Sequence, residues 1–188
     1  MYDSFGKRVL DLILASSALL ALAPLMIGVA ALIRLTDQGP ALFRQTRIGR
    51  GGTPFEILKF RSMPVGTGQV PSDRIGTVAI TPFGVFIRRT NIDELPQLFN
   101  ILRGEMTIVG PRPPLASQAD LIAARTDNSA LALRPGLTGL AQINSFDGMS
   151  VAEKAGFDGD YARSVTLFGD LAIIMRTIGY LAKPPPKY

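Results

Sequence analysis

Leu12 to Ile33, LILASSALLALAPLMIGVAALI, runs for twenty-two residues without a charged side chain. At the rise of an α-helix it reaches about 33 Å, enough to cross the hydrocarbon core of a bilayer. The chain is therefore expected to be held at a membrane by its first helix. A secretory leader is the first rival, because Lys7-Arg8 precede the run and Ala21-Leu22-Ala23 imitates a cleavage box. The run continues well past that box and Pro24 occupies the next position, which argues against cleavage. Basic residues flank both ends, Lys7 and Arg8 before, Arg34, Arg44, Arg47 and Arg50 after. The positive-inside rule then asks for both ends in the cytoplasm. At Pro24, in the middle of the run, the missing N–H and the clash with Leu20 kink a helix, and Ser16 and Ser17 are placed to take up freed carbonyls. The residues leave two geometries open: a re-entrant helix bent at Pro24, and a kinked spanning helix.

The chain has 188 residues, no histidine and no cysteine. One domain is expected, large enough to bury a core without disulfide or metal staples. Without histidine or cysteine the commonest general base and the thiol nucleophile are gone, so any catalysis runs on carboxylates, lysine, arginine, tyrosine or hydroxyls. The net charge of +5 points to anionic partners. The arginines lack the aromatic interleaving that single-strand recognition needs, so nucleic acid is not expected.

Beyond Gly39-Pro40, segments 41–48 and 53–60 read as two short strands joined by Gly49-Arg50-Gly51-Gly52, a small hairpin. Residues 64–72 read as a loop. Thr81-Pro82 opens a short helix ending in Arg88-Arg89, and Asn91 is placed to cap a second helix from Ile92 that carries Asp93 and Glu94 in its first turn. A helix is expected over 116–125, and a rigid turn at Arg134-Pro135-Gly136-Leu137-Thr138-Gly139. From Val151 onward the pattern is helical, with Leu167, Leu171, Ile174, Ile178 and Leu181 on one face, suited to docking on the core or lying on a membrane surface. Core packing is the plain expectation for Tyr161 and Asp170. The fold class is α+β, mostly helical with a small β-hairpin, an N-terminal re-entrant or spanning membrane helix and interfacial amphipathic helices. Residues 1–36 are read as the membrane helix, 37–183 as a catalytic domain at the membrane surface and 184–188 as a tail.

Adjacent carboxylates amid arginines are expected to stay ionised, since nearby positive charge lowers a carboxyl pKa. An ionised Asp93 can attack phosphorus, and Asp93 with Glu94 suits Mg²⁺, a hard cation that takes oxygen ligands. Arg88, Arg89, Arg112 and Arg134 are candidates for forked contacts to phosphate. Lys59-Phe60-Arg61-Ser62 ends a strand either at this site or at a solvated edge. The competing account of Asp93-Glu94 is an acidic helix start paired with Arg88 or Arg89.

Lys59-Phe60-Arg61-Ser62-Met63, Asp93-Glu94-Leu95-Pro96-Gln97-Leu98-Phe99-Asn100, Gly104 to Pro113 (GEMTIVGPRP) and Pro135-Gly136-Leu137-Thr138-Gly139 occur in that order, and on these motifs the chain resembles the bacterial monotopic phosphoglycosyl transferases. The likeness extends over nearly the whole chain. It implies transfer of a sugar phosphate from a UDP-sugar to undecaprenyl phosphate, releasing UMP, at the cytoplasmic face of the bacterial inner membrane. Asp93 is then the nucleophile that forms a covalent phosphosugar intermediate, Glu94 handles metal or proton, and Mg²⁺ bridges the diphosphate. Lys59 and Arg61 join Arg88, Arg89, Arg112 and Arg134 as phosphate-binding residues. The resemblance also implies the re-entrant geometry, with the bend at Pro24, and the small form of the enzyme, working as monomer or homodimer. Two departures stand out: Ala23-Pro24 replaces a Ser-Pro break, and Asn144-Ser145-Phe146 replaces an Asn-Gly-Arg-like triplet near the sugar or phosphate pocket. A non-catalytic membrane adaptor binding anionic lipid is the alternative, as is direct attack by the lipid phosphate with Asp93 only a metal ligand.

Overall fold

The computed structural model describes residues 2–37, 39–65, 67, 80–145 and 149–181. Its first element, after a π-helical turn at Tyr2–Gly6, is α1, Lys7–Asp37, with Pro24 inside it. One stripe of α1 is buried along nearly its full length. Ala15 packs against Ile57, Leu98, Ile101 and Met106, and Met26, Val29 and Ile33 pack against Ala41, Phe60 and Ile87. The opposite side keeps its apolar residues exposed, with Leu20 at 81%, Ile27 at 70% and Leu35 at 80%. A monomeric soluble protein rarely leaves so much apolar surface in one place, so the outer side of α1 is a membrane surface.

The basic residues before the apolar run do more than flank it. Arg8 donates to the carbonyls of Ile101 and Leu102 at 2.6 and 2.9 Å, where a helix end leaves acceptors unfilled. The buried Asp11 accepts from the Thr107 hydroxyl and the Ile108 amide, each at 2.8 Å. The first turns of α1 are thereby pinned to the body.

The expected hairpin is present, with β1, Leu42–Ile48, antiparallel to β2, Pro54–Phe60. Gly51 and Gly52 supply the positive φ of its turn. Along β1 the alternation buries Gln45 and Arg47 and exposes Arg44 and Thr46. Helix α2, Pro82–Arg89, starts where Thr81 accepts from the Gly84 amide at 2.9 Å.

The next segment departs from expectation. Asn91 does not cap through its side chain; it adopts the left-handed conformation at φ 54°, and Ile92–Glu94 is a 3₁₀ turn rather than the start of an α-helix. Pro96 lacks the N–H that would continue helical bonding, so α3 begins only at Gln97 and runs to Arg103. The helix expected over 116–125 is α4, Ala119–Asp127.

A second sheet was not legible in the pattern: β3, Thr107–Val109, pairs in parallel with β4, Gly136–Thr138. Three-residue strands are too short to show periodicity. The approach depends on glycine, since a Cβ on Gly136 would stand 2.1 Å from the Gly110 nitrogen and one on Gly139 2.1 Å from the Gly110 oxygen. The chain continues through α5, Leu140–Ile143, and α6, Val151–Arg163, whose start carries a Ser150/Glu153 capping box. The last helix, α7, is Leu167–Leu181.

The apolar stripe on α7 packs on the core only in part, through Ile174, which is half-buried against Val109, Tyr161 and Ile173. Asp170 and Ile173 face inward, whereas Leu167, Leu171 and Ile178 are exposed, together with Phe168 at 82% and Met175 at 67%. The inward face also serves a polar hub, in which Asp170 accepts from Lys7, Tyr2 and Tyr161 at 2.5 to 2.6 Å. The tail 184–188, Phe146 and most of the 64–72 loop lie outside the described residues.

Candidate active site

Three separate pieces of chain bring a lysine and an arginine onto one carboxylate. Buried Asn100 on α3 receives the Leu58 amide at 3.0 Å and donates to the carbonyl of Glu56 and to Glu105, each at 2.7 Å. This fixes the open edge of β2 against α3, so that the neighbouring Lys59 points to the 3₁₀ turn. Lys59 Nζ and Arg112 Nη2 both donate to Oε1 of Glu94, each at 2.7 Å. The Oε2 atom accepts no bond among the described residues.

Asp93, immediately before, is buried, with 7% of its surface exposed. The expectation that both carboxylates are held strongly ionised is met at Glu94 alone. Burial would raise the Glu94 carboxyl, but the charges of Arg112 and Lys59 and their hydrogen bonds outweigh it and hold it far below the usual carboxylate range. At Asp93 burial wins. Its carboxyl is pushed up to about 6, despite the positive charges of Lys59, Arg88 and Arg112, with the charge of Glu94 adding to the rise. Two adjacent acids thus acquire different acidities, the usual basis for dividing roles between paired carboxylates.

Arg112 is aimed by the loop that carries it. The four consecutive carbonyls of residues 111–114 accept bonds from three other parts of the fold: Pro111 from the Gly136 amide of β4 at 2.9 Å, Arg112 from Arg125 of α4 at 2.7 Å, and Pro113 and Pro114 from Arg47 and the Ile48 amide of β1 at 3.1 and 2.9 Å. Arg125 is itself held by Asp158 through two bonds of 2.8 and 2.6 Å, both side chains nearly inaccessible. Three prolines in four residues leave the loop few donors of its own and a narrow range of φ, so these acceptor bonds define its course.

The other residues singled out from sequence are dispersed. Arg88 donates to Ser62 Oγ at 2.8 Å and lies near enough to Asp93 for its charge to be felt there. Arg61 is buried at the end of β2, its guanidinium against Gly39. Arg89 is exposed at the end of α2. Arg134 donates to the Gly104 carbonyl at 3.1 Å, closing the end of α3.

Arg47, read from sequence as a cation flanking the membrane run, is buried. Its guanidinium meets Gln45 Oε1 at 2.7 and 3.0 Å and the Pro113 carbonyl, and its pKa is pulled down to about 10 by burial and then by the charge of Arg112. The signal was present in the two-residue period of β1, which puts Gln45 and Arg47 on the inward side where apolar residues belong.

No group of three or more His, Cys, Asp or Glu side chains that could cage a metal is gathered among the described residues. Mg²⁺ is ordinarily held by one or two carboxylates together with substrate phosphates, and Asp93 with Glu94 fits that donor set.

An arrangement of one strongly ionised and one tunable carboxylate among lysine and arginine, on a body joined to an apolar surface helix, is suited to transferring a phosphate-bearing group at a membrane. Comparison with known proteins agrees. The model of the family described as bacterial sugar transferase matches residues 2–184. A UDP-glucose:undecaprenyl-phosphate glucose-1-phosphate transferase from Caulobacter vibrioides is 42% identical over 181 residues, covering 92% of this chain and 68% of that protein. Exopolysaccharide production protein ExoY of Rhizobium meliloti is 38% identical, covering 92% and 84%. A UDP-glucose:undecaprenyl-phosphate glucose-1-phosphate transferase of Escherichia coli is 36% identical, and the chain spans 39% of its length. The chain belongs to the bacterial sugar transferase family.

Proposed function

We propose that this transferase moves a sugar 1-phosphate from a UDP-sugar to undecaprenyl phosphate, giving undecaprenyl-diphosphate-sugar and UMP. The observation that carries the reading is the convergence of Lys59 and Arg112 on Glu94 directly beside the buried Asp93. An Asp93 carboxyl with a pKa of about 6 is ionised at neutral pH yet is more basic than an ordinary aspartate. In the first step an Asp93 oxygen bonds to the β-phosphorus, the bond from that phosphorus to the bridging oxygen breaks, and UMP departs with the electron pair. In the second, a phosphate oxygen of undecaprenyl phosphate attacks the phosphosugar, and Asp93 leaves as a carboxylate. Glu94 keeps Lys59 and Arg112 in place, so that positive charge is already oriented where phosphate charge develops. Mg²⁺ held by Asp93 or Glu94 would supply further neutralisation of the diphosphate.

The anchor supports a monotopic placement at the cytoplasmic face of the inner membrane. Ala15 near one end of the apolar run and Ile33 at the other are both buried against the same body, so neither half of α1 is free to carry the run away across a bilayer. Membrane lipids and a second copy of the chain are the remaining expected partners.

The test is UMP release from a panel of UDP-sugars headed by UDP-glucose, with protein in nanodiscs, Mg²⁺ and undecaprenyl phosphate, alongside Asp93→Asn. Donor-specific UMP release that disappears in Asp93→Asn, with a phosphosugar adduct on Asp93 by mass spectrometry, is the expected result. UMP release that survives Asp93→Asn would overturn the covalent route.

A further inference from the structure

Behind Arg112 lies a cavity of about 220 Å³ whose lining includes Arg47, Arg112, Gln118, Gln142, Met149 and Lys154. Its walls come from β1, the 111–114 loop, α4, α5 and the start of α6, and no carboxylate of the described residues lines it. Four cations do, and two of them are balanced: Arg112 by Glu94 and Arg125 by Asp158. The other two are not. Among the described residues Arg47, 7% exposed, hydrogen-bonds only neutral oxygens, those of Gln45 and Pro113, and Glu94, whose charge reaches it, is already paired with Lys59 and Arg112. Lys154 is half-buried and has no hydrogen bond or ion pair among the described residues. A guanidinium withdrawn from water without a counter-charge is costly, and the cost is relieved when a ligand brings the missing negative charge.

We propose that Arg47 is a phosphate-binding residue, and that this cavity, which Lys154 also lines, receives the phosphate of a nucleotide. The inference rests on the transferase reading for the identity of the nucleotide. Phosphate chemistry has two sources in that reaction, the soluble donor and the lipid acceptor. No residue of α1, α2 or α7, the helices with the most exposed apolar side chains, lines the cavity, and neither do Phe99 on α3 and Val151 on α6, which are also exposed. A lipid-borne phosphate therefore has no apolar path to it, and the soluble nucleotide is the occupant. Arg47 also explains why the Pro113 carbonyl is braced by a charged donor: the same guanidinium that fixes the loop presents positive charge to the space beside it.

The experiment is direct binding of UMP by calorimetry to the full chain in nanodiscs, compared for the natural protein, Arg47→Met, Arg47→Lys and Lys154→Met, with the KM for undecaprenyl phosphate and the melting temperature of the UMP-free protein measured alongside. A charged hydrogen bond lost to phosphate predicts UMP affinity reduced about ten- to hundredfold in Arg47→Met. Arg47→Lys recovers part of the loss, and Lys154→Met weakens UMP several-fold without changing the melting temperature. The KM for undecaprenyl phosphate stays within about twofold. Unchanged UMP affinity in Arg47→Met and Lys154→Met overturns the proposal, as does a loss confined to the lipid substrate. Weakened UMP binding in Arg47→Met alone, with a lowered melting temperature and no effect at Lys154, reduces Arg47 to a brace for Pro113 and also overturns it. Failure of the transferase reading is distinguishable, because the natural protein would then release no UMP from any donor, whereas the binding comparison needs no turnover.

Discussion

Removing a carboxylate from water raises its pKa unless neighbouring charge compensates, and at Asp93 the positive charges of Lys59, Arg88 and Arg112 compensate only in part. The native state therefore holds the Asp93 proton more tightly than the unfolded chain, whose aspartate titrates near 3.8. The sign follows: the native state bears no penalty below about pH 4, loses stability as pH rises to about 6, and keeps that loss above it. The difference amounts to roughly 3 kcal/mol at pH 8. In EDTA, Asp93→Asn is expected to melt several degrees above the natural protein at pH 8, with the gap closing as pH approaches 4; equal melting temperatures at pH 8 would remove the penalty. Glu94 shows why the site was only partly legible. The adjacent acids and the nearby arginines were visible in the sequence, but the partners that set Glu94 apart stand 35 and 18 positions away in the chain.

Among the elements, the parallel pair β3 and β4 and the α4–α6 contact decide where Arg112 points. Replacing Gly136 with alanine sets a Cβ 2.1 Å from the Gly110 nitrogen, against backbone that cannot step aside without breaking the pairing. Gly136→Ala is expected to cost about 3 kcal/mol or more, read from denaturant unfolding. Asp158→Asn leaves Arg125 buried without its counter-charge and is expected to cost roughly 3–5 kcal/mol, part of it recovered when Arg125→Leu is added. Should Asp158→Asn leave the melting temperature unmoved, the pair contributes nothing to joining α4 and α6. The glycines were readable as a turn, yet their reason is close packing between strands. The hairpin and α2 were readable because alternation, a glycine turn and a Thr-Pro start are local signals.

Over the whole molecule, the exposed apolar sides of α1 and α7 define how the protein meets lipid. The sequence has no cysteine, so introduced thiols report without background. Phe5→Cys and Leu35→Cys stand at positions 72% and 80% exposed, near the two ends of α1. With both ends on one side of the bilayer, an impermeant maleimide is expected to label both in inside-out vesicles and neither in right-side-out spheroplasts; labelling of one from each side would establish a spanning helix. Phe168→Glu with Met175→Glu, both far exposed on α7, is expected to reduce vesicle flotation at high salt while leaving the melting temperature unchanged.

The amino-acid sequence by itself determined the elements whose forces are local: an apolar run of membrane length, a hairpin set by alternation and glycine, a capped short helix, and two acids placed side by side. Its motifs also carried the family. Only the tertiary structure decided which side of α7 faces inward, which distant cations converge on Glu94, that Asp93 is raised rather than lowered, and that Arg47 is a buried charge beside a cavity instead of a membrane-flanking cation. The physical reason is one of range. Propensity, capping and periodicity act over a few residues, whereas desolvation and ion pairing depend on what the folded chain brings within a few ångströms, whatever its separation in sequence.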